Sequence, residues 1–161
     1  MKLLVLSDSH RETEHMLLAL RRENPDAVVH LGDHADDADV IAREFPYLPL
    51  YRVRGNCDYY DDGTPEQVLL RWEGMRILAV HGHRCGVKSG LLRLQYAAKE
   101  KEAQVALFGH THCAYCETLD GFWMLNPGAC GGSRPSYGIV MLQDGAANCC
   151  VKELYTEENE L

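Results

Sequence analysis

Seven residues stand where short apolar runs end, and all seven have side chains that bind metals: Asp8 and His10, Asp33, Asn56, His81, and His110 with His112. Imidazole mixed with carboxylate oxygen suits the borderline divalent metals Mn, Fe, Co, Ni and Zn. It is too rich in nitrogen for Ca or Mg alone. Seven side chains exceed what one catalytic metal needs, since such a metal keeps a position open for water. They suffice for two metals if one carboxylate bridges. Two metals about 3.5–4 Å apart clamp the attacking and leaving oxygens of an in-line phosphoryl displacement. Taken singly, each element has a commoner meaning. Asp8-Ser9-His10 could cap a helix, and Gly32-Asp33 or Gly55-Asn56 could be turns. Gly109-His110-Thr111-His112 is harder to set aside. All of them in one small chain, each after an apolar run, make the joint coincidence improbable.

The elements that must position them are short. Leu3–Leu6 reads as a buried strand feeding a polar loop, and Ala27–Leu31 as a second that ends at Gly32-Asp33-His34. Leu50–Val53 leads to Gly55-Asn56, Arg76–Val80 to His81-Gly82-His83, and Val105–Phe108 to Gly109-His110. His15–Arg22 has amphipathic spacing and stops at Asn24-Pro25. Asp36–Glu44 and Ser89–Lys101 are two further predicted helices. Gln67–Trp72 pairs with Arg76–Val80 around Glu73-Gly74. From Ala114 the pattern is β, with turns at Asp120-Gly121 and Asp144-Gly145. Strand ends in an α/β sheet converge on one edge, where ligands bind.

The chain has 161 residues, of which 46% are hydrophobic and 25% charged. That fits one domain over residues 1–155, followed by an acidic tail, 156–161. The net charge of -8 argues against a diffuse basic face for nucleic acid. Bound cations could still reverse the field locally for a small phosphate ester. The early apolar run is too short for a secretory leader, and no segment approaches a membrane span. The expectation is a cytoplasmic protein with no membrane partner. Seven cysteines without a leader read as free thiols. Cys113 and Cys116 have CxxC spacing but no second pair at zinc-ribbon distance, and read as two small apolar residues on a strand.

The ordered set Asp8-x-His10, Gly32-Asp33, Gly55-Asn56, His81-Gly82-His83 and Gly109-His110-x-His112 resembles that of the calcineurin-like metallophosphoesterase superfamily. The short chain is similar to its smallest bacterial and archaeal phosphodiesterases. The resemblance implies an α/β fold, a four-layer α/β/β/α sandwich of two mixed sheets flanked by helices. It also implies two divalent metal ions, Mn first among the candidates, then Fe, Ni, Co or Zn. Asp8, His10 and His112 would hold one, Asn56, His81 and His110 the other, and Asp33 would bridge. A metal-bridging hydroxide would attack phosphorus in line. Asn126-Pro127-Gly128 is similar to a loop that borders the site.

One position departs from that pattern. Many members carry histidine after Gly-Asn to assist the leaving group; here Cys57 stands there, followed by Asp58. A thiol with an ordinary pKa of about 8.5 is mostly neutral at pH 7. The candidates for catalytic assistance are therefore Cys57, Asp58 and His83, with His34 and Arg84 as further residues near the metal loops. A weak acid there favours activated leaving groups, and phosphodiesters over monoesters. Two other readings stand beside the enzyme. One is a metal-binding scaffold of the same fold, as in a retromer subunit, marked by a large apolar patch away from the ligands. The other is a nuclease, which would want a basic groove. Leu, Tyr and Trp on the later strands could support a homo-oligomer.

Overall fold

A computed structural model of the chain describes residues 1–155. The predicted acidic tail, 156–161, lies outside the described residues. Continuous apolar strands need cover on both faces, and the structure supplies it with two packed sheets. The first sheet has the order β10-β9-β1-β2-β3, made of Ala146–Glu153, Ser136–Gln143, Lys2–Leu6, Ala27–His30 and Leu50–Arg52. Strands β1, β2 and β3 run parallel, and β9 and β10 add antiparallel. The second has the order β4-β5-β6-β8-β7, made of Gln67–Trp72, Met75–Val80, Val105–Leu107, Phe122–Asn126 and Tyr115–Leu119. Both sheets are mixed.

Alternation along β1 divides the core into layers. Leu3 and Val5 join Val29, Ile77, Leu107, Leu125 and Val140 between the sheets. Leu4 and Leu6 face the other way and pack with Met16, Leu20, Ile41 and Tyr137 under helices α1 (Thr13–Glu23) and α2 (Asp39–Glu44). On the far sheet, Leu78, Ala106 and Phe108 pack with Leu94 and Ala98 of α3 (Leu92–Glu100). The result is the four-layer sandwich.

Three hairpins turn through Glu73-Gly74, Asp120-Gly121 and Asp144-Gly145, each pair at positive φ, the primed geometry that matches strand twist. Both later predicted helices begin later than their spacing suggests. Residues Ala35–Ala38 form a 3₁₀ turn before α2, because the Asp37 carboxylate is drawn under the β1 loop by Ser9 and Arg11. Residues Val87–Ser89 are likewise 3₁₀, and Gly90, at φ 140 and ψ 167, breaks the chain before α3. Cys113 precedes β7 in an exposed loop, so only Cys116 of the CxxC pair sits on a strand. No helix among the described residues is long and apolar enough to cross a membrane.

Candidate metal centre

Strands β1, β2, β3, β5 and β6 all reach the same edge of the sandwich, and the loops that leave them carry the predicted ligands. Two groups of ligand atoms form there, each within 4.8 Å of one another. Asp8, His10, Asp33 and His112 make one; Asp33, His81 and His110 make the other, so Asp33 belongs to both. Asn56 joins the second group, its Oδ1 lying 3.1 Å from His81 Nε2.

The loops achieve this through unusual backbone. Asp8, His10, Asp33, His34, His110 and His112 all have φ between 46° and 69°. Such conformations cost about 1–3 kcal/mol each in non-glycine residues, and persist only where surrounding structure over-determines them. Close approach is the second device. A Cβ on Gly55 would fall 2.2 Å from Asp33 Oδ1, and one on Gly109 would fall 2.1 Å from Ser7 Oγ. The Gly-Asn and Gly-His pairs of the sequence are thus places where one loop lies against the carboxylate of another.

Hydrogen bonds orient the ligand atoms. Asp8 Oδ2 accepts from Ser7 Oγ at 2.6 Å and from the His110 N–H at 3.2 Å. Its Oδ1 is buried and has no hydrogen-bond partner. His112 Nε2 lies 3.1 Å from that oxygen, but without hydrogen-bond geometry. His10 Nε2 and His112 Nε2 face each other at 3.4 Å. A buried carboxylate oxygen without a donor, among converging ring nitrogens, is costly by itself and fits a divalent cation. The His81 Nδ1–H donates to the Leu31 carbonyl at 2.8 Å, which directs Nε2 toward Asn56 and Asp33. Burial opposes a charge on His81, but the Asp33 hydrogen bond and the Asp8 and Asp33 charges raise its pKa. Burial likewise opposes ionisation of Asp33, yet bonds from His81 and the Cys57 N–H hold it well below the usual carboxylate range.

The candidate assistants fall differently. Cys57 Sγ lies 3.7 Å from Asn56 Nδ2. Burial, then the Asp33 and Asp58 charges, push its thiol up. The His83 ring lies 5.4 Å from His81 and 6.1 Å from His110, and its buried Nδ1 has no partner. Burial, then the His81 and Arg84 charges, lower its pKa. The His34 ring packs on His10 at 5.0 Å. Arg84 binds Glu66 through Nε and Nη2, and Arg54 binds the same Glu66 oxygen. Arg54, Glu66, His83 and Arg84, with Asn56 and Tyr59, line a cleft of about 520 Å³. Asp58 has both carboxylate oxygens on backbone N–H groups.

Several supporting residues escape a reading by motif. Ser9, His30 and Asp37 form a buried chain beneath Asp8 and His10. Asn126 does more than border the site: its Nδ2 donates to the Gly109 carbonyl and Thr111 Oγ1, bracing the His110–His112 loop. A histidine inside the apolar run of β2 was the one readable sign of the first network.

Two mixed sheets with helices outside, and a His/Asp/Asn cluster at the strand ends, define a small metal-dependent phosphoesterase. Residues 1–145 match the calcineurin-like phosphoesterase superfamily domain, and the chain belongs to that family. Its reaction class is hydrolysis of phosphoric esters. The chain is 39% identical over 152 residues to the probable metallophosphoesterase YsnB of Bacillus subtilis, covering 91% of this chain and 88% of the relative. It is 26% identical over 161 residues to the phosphodiesterase MJ0936 of Methanocaldococcus jannaschii, covering 87% and 92%. The crystal structure of wild-type Vps29 complexed with zinc, from Entamoeba histolytica, has the same fold: TM-score 0.75 at 19% identity, covering 96% and 100%.

Proposed function

We propose that the chain is a dinuclear, manganese-dependent phosphodiesterase acting on a small phosphate ester. The observation that supports this is the double membership of Asp33, which belongs to both groups of ligand atoms. Asp8, His10 and His112 would hold one ion with it; Asn56, His81 and His110 would hold the other. Iron, nickel, cobalt or zinc suits the same donors. When bound, the pair supplies Lewis acidity and a water nucleophile active at neutral pH. The archaeal relative MJ0936, a phosphodiesterase, agrees with this substrate class.

The chain's own residues set the leaving-group preference. Cys57 is a neutral thiol that can donate a hydrogen bond but cannot act as a cation. His83, beside the cleft and shifted toward its neutral form, can orient a substrate oxygen more readily than protonate it. With only weak proton donors, departure of an aryl group is easier than departure of an alkoxide.

Hydrolysis of an aryl phosphodiester, compared with the matching monoester, tests the reading. Protein stripped by chelator is given Mn, and Asn56→Ala controls for a contaminating enzyme. The expected result is metal-restored diester cleavage that the variant loses. No turnover by folded protein with any of these metals would favour the scaffold reading. That reading has one feature on its side, a groove of about 770 Å³ between α3 and the β7–β8 hairpin, lined in part by Leu119, Phe122 and Met124.

A further inference from the structure

Sequence places Asp58 beside Cys57, among groups that could assist departure. In the structure its carboxylate is fully engaged with main chain. Oδ2 accepts the N–H groups of Asp33 at 3.0 Å and Gly55 at 2.8 Å. Oδ1 accepts the N–H of Ala35 at 3.0 Å. The exchange is reciprocal, because Asp33 Oδ1 accepts the Cys57 N–H at 2.8 Å. Two loops that leave different strands, β2 and β3, are thereby stitched together by two carboxylates.

The amides that Asp58 takes are informative. Those of Asp33 and Ala35 bracket a pair of left-handed residues, Asp33 at φ 57 and His34 at φ 60. That of Gly55 precedes Asn56, whose Oδ1 reaches His81. Nothing else among the described hydrogen bonds joins the side-chain-bearing stretch 33–35 to 55–58 except the Asp33–Cys57 contact. Asp33 can serve both ligand groups only while its loop is held at this distance from Asn56.

We infer that Asp58 is a positioning residue, whose carboxylate sets Asp33 and Asn56 at the separation that lets one carboxylate serve two metal sites. This rests on the two-metal reading above. Asp58→Asn is nearly isosteric, but turns one acceptor into an NH₂ group aimed at N–H donors. Partners that orient metal ligands in this way are typically worth about 10–100-fold in metal affinity.

The test is manganese binding by the full chain, followed by calorimetry and by electron paramagnetic resonance. Two equivalents and an exchange-coupled spectrum are expected of the unaltered chain. One equivalent or none overturns the two-metal reading, and is distinct from any result on Asp58. In Asp58→Asn the second equivalent should bind about 10–100-fold more weakly. Its spectrum should become that of isolated Mn(II), while the first equivalent binds as before. Leu94→Ala, which opens the core beneath α3, shows what lost stability alone does and should keep the coupled spectrum. A coupled spectrum with unchanged second affinity in Asp58→Asn overturns the inference. Amide hydrogen exchange in the unaltered, metal-free chain decides the case if the variant does not fold. Slow exchange at Asp33, Ala35 and Gly55 supports the inference, and fast exchange at all three in folded protein overturns it.

Discussion

Asn56 hands its amide oxygen to His81, and the residue after it is a thiol where an imidazole would be the stronger acid. That single exchange carries a prediction. A histidine at 57 would sit on the same turn, with its backbone N–H still bound to Asp33. General acid assistance of this kind is worth about 10²–10⁴-fold, and more for a poor leaving group than a good one. Cys57→His should therefore raise the ratio of alkyl to aryl phosphodiester kcat/KM by about tenfold or more, read from steady-state rates on substrates that differ only in the leaving group. An unchanged ratio would separate position 57 from leaving-group departure. At this scale the sequence was legible wherever chemistry demands a rare side chain. Asp8, His10, Asp33, His81, His110 and His112 have commoner roles one by one, but their recurrence after apolar runs singles them out together, and their side chains do converge. The partners of those residues were not legible. Arg84 stands near the metal loops in sequence, but Glu66 occupies two of its donors. Ser9, Asp37 and Asn126 are ordinary polar residues until strand order brings them beneath a ligand.

Strands and loops were easier to read than helices, for a physical reason. Apolar runs of four to six residues bounded by glycine have one reading in this fold, and the three Asx-Gly or Glu-Gly hairpins are specified by positive φ alone. Helix starts depend on tertiary bonds. Asp37, pulled by Ser9 and the Arg11 N–H, keeps its turn 3₁₀ whatever the spacing of Val40 and Ile41 suggests. The loop after β6 shows how far one element can constrain another. Gly109 has an ordinary φ, so its requirement is one of space: a Cβ would meet Ser7 Oγ at 2.1 Å and Asp8 Oδ2 at 2.9 Å. Ser7 is buried and holds Asp8, and neither can retreat. Gly109→Ala should destabilise the metal-free protein by about 1–3 kcal/mol, as overpacking does. It should also weaken the first metal group, because Asp8 is the atom displaced. Gly63→Ala is the comparison, since its nearest neighbour would be 3.9 Å away at the Asp61 side chain. Denaturant unfolding with and without Mn distinguishes the two. A Gly109 variant as stable and as metal-responsive as the Gly63 variant would mean that the β1 and β6 loops are not packed as described.

At the scale of the molecule, the sandwich exists to press two sheet edges together at one end, and the cost falls on groups buried beneath that end. Sequence could suggest two sheets but not the order β10-β9-β1, which joins residues 2–6 to residues 136–143 across almost the whole chain. His30 acquires its environment only through that assembly. Fully buried between the β1 and β3 loops, its Nδ1 accepts the Gly32 N–H, so Nε2–H donates to Ser9 Oγ, and Ser9 donates to Asp37. This ring has room for one proton. Burial pushes its pKa from 6.5 down to about 4, against the pull of the Asp8 and Asp37 carboxylates. The folded pKa lies below the unfolded one, so the contribution to stability is complete above about 6.5 and declines as pH falls toward 4. A displacement of that size corresponds to about 3 kcal/mol. His30→Gln removes the titration along with the hydrogen bonds. The variant should be less stable than the parent at pH 7, and the gap should shrink by up to about 3 kcal/mol as pH falls to 4. Urea unfolding of the chelator-treated protein across that range measures it, and the subtraction cancels the other carboxylates and His81, whose raised pKa acts in the opposite direction. A gap that stays constant with pH would show that His30 titrates alike in the folded and unfolded chain, and one that widens as pH falls would show that the fold holds it protonated, with the Gly32 N–H not bound to its ring.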